Sequence, residues 1–244
     1  IPALQSDSAQ APPTPPYLVK NFLLTIKAEW MLNKTTLELT KDAMPNLKEF
    51  QESAGQKDVK NVLQDYVTDH GHDIYSIPLF TDEFCTTMLD EIKNMKKHLS
   101  FSPNEDEDQL RQIPEIILHE KSPELFNSML GVVFNVMNPV FMSVWQRYCH
   151  AAATIQIANY NVRDKKQGAW HHDQTADISM VVPLNTGKYE GGGTEFHGRK
   201  TIEPLPNGHA LFFPSFTHMH RGLPVKDEGD RYLLVFWLYG GGNE

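Results

Sequence analysis

Apolar positions along this chain follow two rhythms, and the change from one to the other divides it. From residue 17 to about residue 67, Leu23, Leu24, Trp30, Leu32, Leu37, Leu39, Leu47, Phe50, Val59, Val62 and Leu63 recur between charged residues at helical spacing. Ahead of them, residues 1–16 hold five prolines among Ser, Ala and Gln with no apolar period, the pattern of an extended tail. Residues 73–80 alternate as a strand. Thr81, Asp82 and Glu83 then supply an N-cap and two first-turn acids for a helix to about residue 97, with Phe84, Met88, Leu89, Ile92 and Met95 on one stripe. Ser122 is the expected N-cap of a second helix, with Pro123 in its first turn and apolar residues continuing to Val136. Pro139 breaks or kinks that run before a further helical piece over residues 140–148.

The character then turns to β. Residues 154–160, 177–184, 194–197, 209–213 and 231–238 read as short strands separated by Gly, Pro and Asn turns. Such a succession, with no long helix between its members, predicts an α+β protein with a double-stranded β-helix (jelly-roll) core, supporting helices and an N-terminal helical extension. The expected organisation is a Pro-rich tail over 1–16, a helical extension over 17–70 and one catalytic domain over 71–244.

Composition narrows the function classes. A formal charge of −9 and a pI near 5.6 do not suit a protein built to bind nucleic-acid phosphates, which need clustered Lys and Arg. No uninterrupted apolar run approaches the roughly 20 residues that cross a bilayer, so no membrane span is expected. The two cysteines, Cys85 and Cys149, sit on apolar faces and read as buried free thiols. With no recognisable leader, a cytoplasmic location is the expectation.

Chemistry concentrates in residues 170–240. In an extended segment His171 and Asp173 point to one side, where they can share a metal, while His172 points away. HxD alone arises easily by chance. A distal histidine changes the odds, because two imidazoles and one carboxylate form a facial non-haem Fe(II) site with open positions. His218 and His220 compete for that place; a turn expected after His220, from Gly222 and Pro224, favours His220 alone. Counting both would suit a zinc or manganese centre better. His197 and His209 read as ordinary strand residues. Arg231 shares a face with Leu233, Val235 and Trp237, where it would need a carboxylate partner. A dicarboxylate ligand is one source, and Asp227, Glu228 or Asp230 in the preceding turn is another. Tyr160 offers a phenol to the same ligand or belongs to the core. Gly191, Gly192 and Gly193 make a tight turn rather than a phosphate loop, since no helix follows.

Together these pieces strongly resemble the catalytic domain of the procollagen-lysine 2-oxoglutarate dioxygenases and, more loosely, the prolyl 4-hydroxylases. The matched segments are Tyr160, Trp170-His171-His172-Asp173, Val181-Val182-Pro183-Leu184-Asn185, Tyr189-Glu190-Gly191-Gly192-Gly193, residues 217–225 and Arg231-Tyr232. Residues 74–89 also resemble the opening of small stand-alone 2-oxoglutarate oxygenases. The resemblance implies His171, Asp173 and His220 as iron ligands, Arg231 as the 2-oxoglutarate-binding arginine and Tyr160 as a further contact to that diacid. It implies Fe(II), 2-oxoglutarate and O₂ as reagents, with ascorbate a candidate addition. The implied activity is hydroxylation of a C–H bond, on a lysyl or prolyl side chain of a protein or peptide, with release of succinate and CO₂. A small-molecule hydroxylase and a non-catalytic interaction module are the alternatives. Thr194 stands where the collagen enzymes carry a cysteine, and their glycosyltransferase portions have no counterpart here, so the chemistry is better marked than the substrate.

Overall fold

The segment Arg231–Gly242 shows why the fold has two layers. Leu233, Val235 and Trp237 fall on one face, Leu234, Phe236 and Leu238 on the other, so this strand needs cover on both sides. The computed structural model describes residues 66–101 and 113–242. In chain order the elements are β1 (Thr68–Asp69), β2 (Tyr75–Pro78), α1 (Asp82–Met95), β3 (Glu115–Ile117), α2 (Leu118–Lys121), α3 (Pro123–Val132), a π-helical turn (Val133–Met137) and α4 (Asn138–Trp145). They continue with β4 (Arg147–Tyr160), β5 (Ile178–Pro183), β6 (Thr194–Phe196), β7 (Thr201–Ile202), β8 (His209–Pro214), β9 (His220–Gly222) and β10 (Arg231–Gly242). A seven-stranded sheet runs β1-β2-β8-β5-β10-β4-β3 and a three-stranded sheet runs β7-β6-β9, every pairing antiparallel. This is the expected double-stranded β-helix arrangement with supporting helices.

The large sheet buries one face against the helices. Ile155, Ile157, Met180, Val182, Phe212, Leu234 and Phe236 meet Phe84 and Met88 of α1, Met129 of α3 and Phe141 of α4 in a single core. The opposite face carries a smaller cluster, Ala158, Tyr160, Leu233 and Val235 with Tyr189 and Val225. That face also holds the polar residues of the site. Register fixes which residues sit side by side: Arg231 lies opposite Tyr160, and Val235 lies between Gln156 on β4 and Val181 on β5.

Local signals mostly act as read. Thr81 caps α1, its hydroxyl accepting from the Phe84 N–H at 3.1 Å. Ser122 occupies the N-cap position of α3 but makes no side-chain cap bond. Pro139 does not break the helix. Its ring would clash with the Asn135 carbonyl, and the π turn before it, with the Asn138 N–H bonded to Val133 O, opens the spiral enough to pass. The helical piece expected to reach residue 148 ends at Trp145, where Gln146 turns left-handed at φ 56°. Residues 147–153 instead lengthen β4, paired with the end of β10. The buried Asn138 side chain locks that start: its amide donates to Cys149 O at 2.9 Å and its carbonyl accepts from the Cys149 N–H at 2.6 Å. Neighbour pairing therefore outweighs the helical preference of Ala151, Ala152 and Ala153.

The continuous helical stretch Pro123–Trp145 is long and apolar enough to cross a membrane by length and composition, and 61% of its apolar window is buried inside the protein. Sheet structure starts at Thr68, within the span assigned to the helical extension. The tail, the rest of that extension and the acidic run 104–108 lie outside the described residues. Cys85 and Cys149 are buried free thiols; burial pushes Cys85 up to about 12 and Cys149 higher still.

Phe212 tests the core. It is fully buried among Tyr75, Phe141 and Trp145. Phe212→Ala is expected to cost about 3–5 kcal/mol in denaturant titrations; a loss below about 1 kcal/mol would contradict this packing.

Candidate metal centre

His171 and His220 are brought together by their backbones. Each N–H donates to the other's carbonyl, at 3.0 and 2.9 Å, so the His171 segment extends the small sheet at β9. The two imidazoles then lie 4.3 Å apart, centroid to centroid. The turn expected directly after His220 from Gly222 and Pro224 is replaced by strand pairing, and His220 opens β9. Asp173 completes the set, with Oδ1 3.3 Å from His171 Nε2 and Oδ2 3.6 Å from His220 Nε2. Ligands about 2.1 Å from one ion at right angles are separated by about 3 Å, close to this spacing. All three ligand atoms lie within 4.8 Å of one another, so the residues present fit a single metal ion.

The surrounding bonds aim these atoms. Nδ1 of His171 donates to Ala169 O and Nδ1 of His220 to His218 O, both at 2.8 Å, because a carbonyl can only accept. That leaves both Nε2 atoms as lone-pair donors toward the metal position. Ser179 Oγ donates to Asp173 Oδ2 at 2.5 Å; its one proton thus committed, it accepts from Ser215 Oγ at 2.7 Å. Neither serine stood out in the sequence, yet alternation of β5 from the apolar Ile178 and Met180 places Ser179 on the site face.

Protonation states suit a metal. Burial opposes charge on Asp173, but the flanking His220 and His171 and the Ser179 bond outweigh it and hold the carboxyl at about 2. Burial drives His220 down to about 4 despite the nearby carboxylate. At neutral pH the site therefore offers an ionised Asp173 and a neutral His220.

Across the cavity stands Arg231, 4% exposed. Its Nη2 donates to Gly193 O at 3.1 Å, while Nε and Nη1 have no hydrogen-bond partner among the described residues. The turn acids do not satisfy it: Asp230 is held by Arg163 at 2.6 Å and Asp227 accepts from the Gly229 N–H. The Tyr160 ring lies beneath, 5.4 Å from the guanidinium carbon. A cavity of about 490 Å³, open to solvent, is lined by Tyr160, His171, Asp173, His220, Arg231 and Gln156 among others. The glycine turn shapes its edge. Gly192 and Gly193 have φ of +81° and +100°, and a Cβ at Gly192 would strike the Tyr189 ring at 2.8 Å and approach Arg231 at 3.3 Å. The buried Tyr189 hydroxyl has no hydrogen-bond partner among the described residues and lines an adjoining space with Arg231.

The remaining histidines stay outside the cluster. His218 is buried, its Nε2 2.6 Å from His72 O, and serves His220 through its backbone carbonyl. His197 is exposed against Trp170, and His209 opens β8.

Residues 155–239 match the family model of the 2OG-Fe(II) oxygenase superfamily. Over these residues the chain is similar to a 2OG-Fe(II) oxygenase domain. Human procollagen-lysine,2-oxoglutarate 5-dioxygenase 2 is 25% identical over 176 residues, covering 68% of this chain and 23% of that protein. The multifunctional procollagen lysine hydroxylase and glycosyltransferase of Caenorhabditis elegans is 24% identical over 174 residues, covering 68% and 24%. The chain thus spans about a quarter of the length of these relatives. Among solved structures, a prolyl hydroxylase of Trichoplax adhaerens, in complex with a hypoxia inducible factor peptide fragment, superposes with TM-score 0.53 at 16% identity, covering 81% of this chain and 95% of that one. A Pseudomonas putida prolyl-4-hydroxylase gives 0.50 at 16%, covering 75% and 97%. The oxygenase family uses Fe(II), 2-oxoglutarate and O₂, and His171, Asp173 and His220 are the candidate iron-binding residues.

Ser179→Ala should weaken metal binding about 10- to 100-fold in calorimetric titration, because Asp173 loses its orienting donor; unchanged affinity would show that the serine pair does not position it. In the metal-free protein, stability should fall as pH drops from about 6.5 toward 4. Over that range unfolded chains take up protons that the buried His220 refuses, and His70, His209 and His218, lowered mainly by burial, add to the effect. Asp173 contributes fully above 3.8, and its part is lost as pH falls toward 2. His220→Leu should flatten the 6.5-to-4 segment of a urea-midpoint profile. An unchanged slope would contradict a neutral His220.

Proposed function

We propose that this protein is an Fe(II)- and 2-oxoglutarate-dependent dioxygenase that hydroxylates a C–H bond on a protein or peptide side chain, lysyl or prolyl, and releases succinate and CO₂. One observation carries the reading: a buried arginine with two unpaired nitrogens faces a two-histidine, one-carboxylate cluster across a single cavity. An arginine cannot shed its charge, so such a site asks for an anion. The cluster binds a metal that leaves positions open. A short diacid that reaches from Arg231 to that metal meets both demands.

The bound iron supplies the oxidation of the C–H bond by O₂, coupled to decarboxylation of 2-oxoglutarate. The chain supplies the rest. His171, Asp173 and His220 would hold the ion, their second bonds fixing which atoms face its position. Arg231 takes the distal carboxylate, with Tyr160 beneath it and the Tyr189 hydroxyl as a further donor beside it. Gly222 keeps the floor open: a Cβ there would lie 3.2 Å from the Tyr160 hydroxyl and 3.5 Å from Arg231. Ile113, Val181, Leu233, Val235 and Trp237 form apolar walls that limit water near the reacting centre. The names of the relatives, which specify procollagen lysine, support a side chain of a protein as substrate.

Anaerobic addition of Fe(II) and 2-oxoglutarate should develop a weak visible charge-transfer band, and O₂ should then yield succinate. His171→Ala or Asp173→Ala is expected to abolish both. Arg231→Leu should raise the 2-oxoglutarate requirement about 100-fold or more, with metal affinity little changed, since it removes a charge-assisted pair. Succinate formation at the normal rate by Asp173→Ala would overturn the assignment.

A further inference from the structure

Among the polar side chains that line the cavity, Gln156 is one that the metal and the diacid leave unused. Gln156, on β4, is 1% exposed and lines the cavity beside His171, Asp173 and Arg231. Its amide nitrogen donates to Glu115 Oε2 on β3 at 2.6 Å, and Glu115 is itself buried. Because the amide nitrogen is the donor in that bond, Glu115 fixes which way the carboxamide points. The carbonyl oxygen, Oε1, is buried and meets no hydrogen-bond partner among the described residues. A buried carbonyl without a donor has lost its bonds to water with nothing in exchange.

Its position is informative. Gln156 lies opposite Val235, which lies opposite Val181, whereas Tyr160 and Arg231 form a pair farther along the same two strands. Four residues of strand, about 13 Å, separate the Gln156 and Tyr160 positions. A diacid seated on Arg231 therefore leaves the Gln156 end of the cavity to the molecule being oxidised.

Resting on the oxygenase reading above, we propose that Gln156 and Glu115 form a specificity element selecting a substrate group that carries a hydrogen-bond donor, with an ammonium preferred. The carbonyl of Gln156 accepts from that group. Glu115, by accepting from the amide nitrogen, keeps the amide from flipping to offer its NH₂ to an acceptor. A neutral acceptor such as a ketone finds no partner here and leaves the carbonyl unpaired, which is how a polar pocket rejects a similar shape.

The test uses the whole protein loaded with Zn(II) and 2-oxoglutarate, which cannot turn over, and two probes followed by ligand-observed NMR: n-butylammonium and 2-pentanone. Wild type should bind n-butylammonium at least about tenfold more tightly than 2-pentanone. Gln156→Leu should bring the two affinities together. Glu115→Gln, which keeps a neutral partner for the amide and so guards against misfolding, should let the carboxamide rotate and improve 2-pentanone binding. Equal binding of both probes to wild type, or an n-butylammonium affinity unchanged in Gln156→Leu, would overturn the proposal. If 2-oxoglutarate fails to bind at all, the oxygenase reading fails; the ranking of the two probes on the metal-free protein still decides the role of Gln156.

Discussion

A guanidinium nearly sealed from water and bonded, among the described residues, to a single carbonyl is the constraint on which the site depends. Removing a charge from water costs several kcal/mol, and arginine cannot relieve that cost by deprotonating. Arg231 is held there by β10, whose flanking pairs with β4 and β5 make it the central strand of the catalytic face. The nearest carboxylate in sequence, Asp230, is drawn away by Arg163. Tyr160 and Gly193 O ease the burial without neutralising it. The fold thus keeps one positive charge unanswered and points it into a cavity.

The metal cluster solves the complementary problem. Asp173 is buried and ionised, and beside it burial holds the His220 imidazole neutral. Ser179 and Ser215 supply hydrogen bonds that a buried carboxylate needs, yet no fixed positive charge lies within the cluster. A divalent ion supplies it. One backbone feature serves both histidines: the reciprocal bonds between residues 171 and 220 place their rings side by side before any metal binds. Such prior organisation keeps the entropy of assembling the ligands out of the binding step.

Much of this was legible in the sequence, for physical reasons. Alternation located the end of β4, short apolar runs bounded by Gly, Pro and Asn turns located β5, β8 and β10, and the i, i+2 rule put His171 with Asp173 and Arg231 with Leu233. Where competing signals were local, the sequence misled. The alanines of β4 carry helical preference, and only the β10 ladder shows that they belong to a strand. Pro139 reads as a helix breaker until the π turn that absorbs it is seen. Gly222 and Pro224 suggested a turn, whereas pairing with β6 and with His171 makes a strand of residues 220–222. Ser179, Ser215, Tyr189 and the Glu115–Gln156 pair were silent for a different reason. A lone serine or glutamine is ordinary in sequence and acquires meaning only when a neighbour brought from elsewhere in the chain leaves one of its atoms committed and another bare.

The most direct test is a crystal structure of the protein prepared anaerobically with Fe(II) and 2-oxoglutarate, with data collected at the iron edge. A single anomalous peak is expected between Nε2 of His171, Nε2 of His220 and the Asp173 carboxylate, with the far carboxylate of the diacid on Arg231 Nε and Nη1. Iron bound elsewhere, or a diacid that leaves those two nitrogens bare, would contradict it.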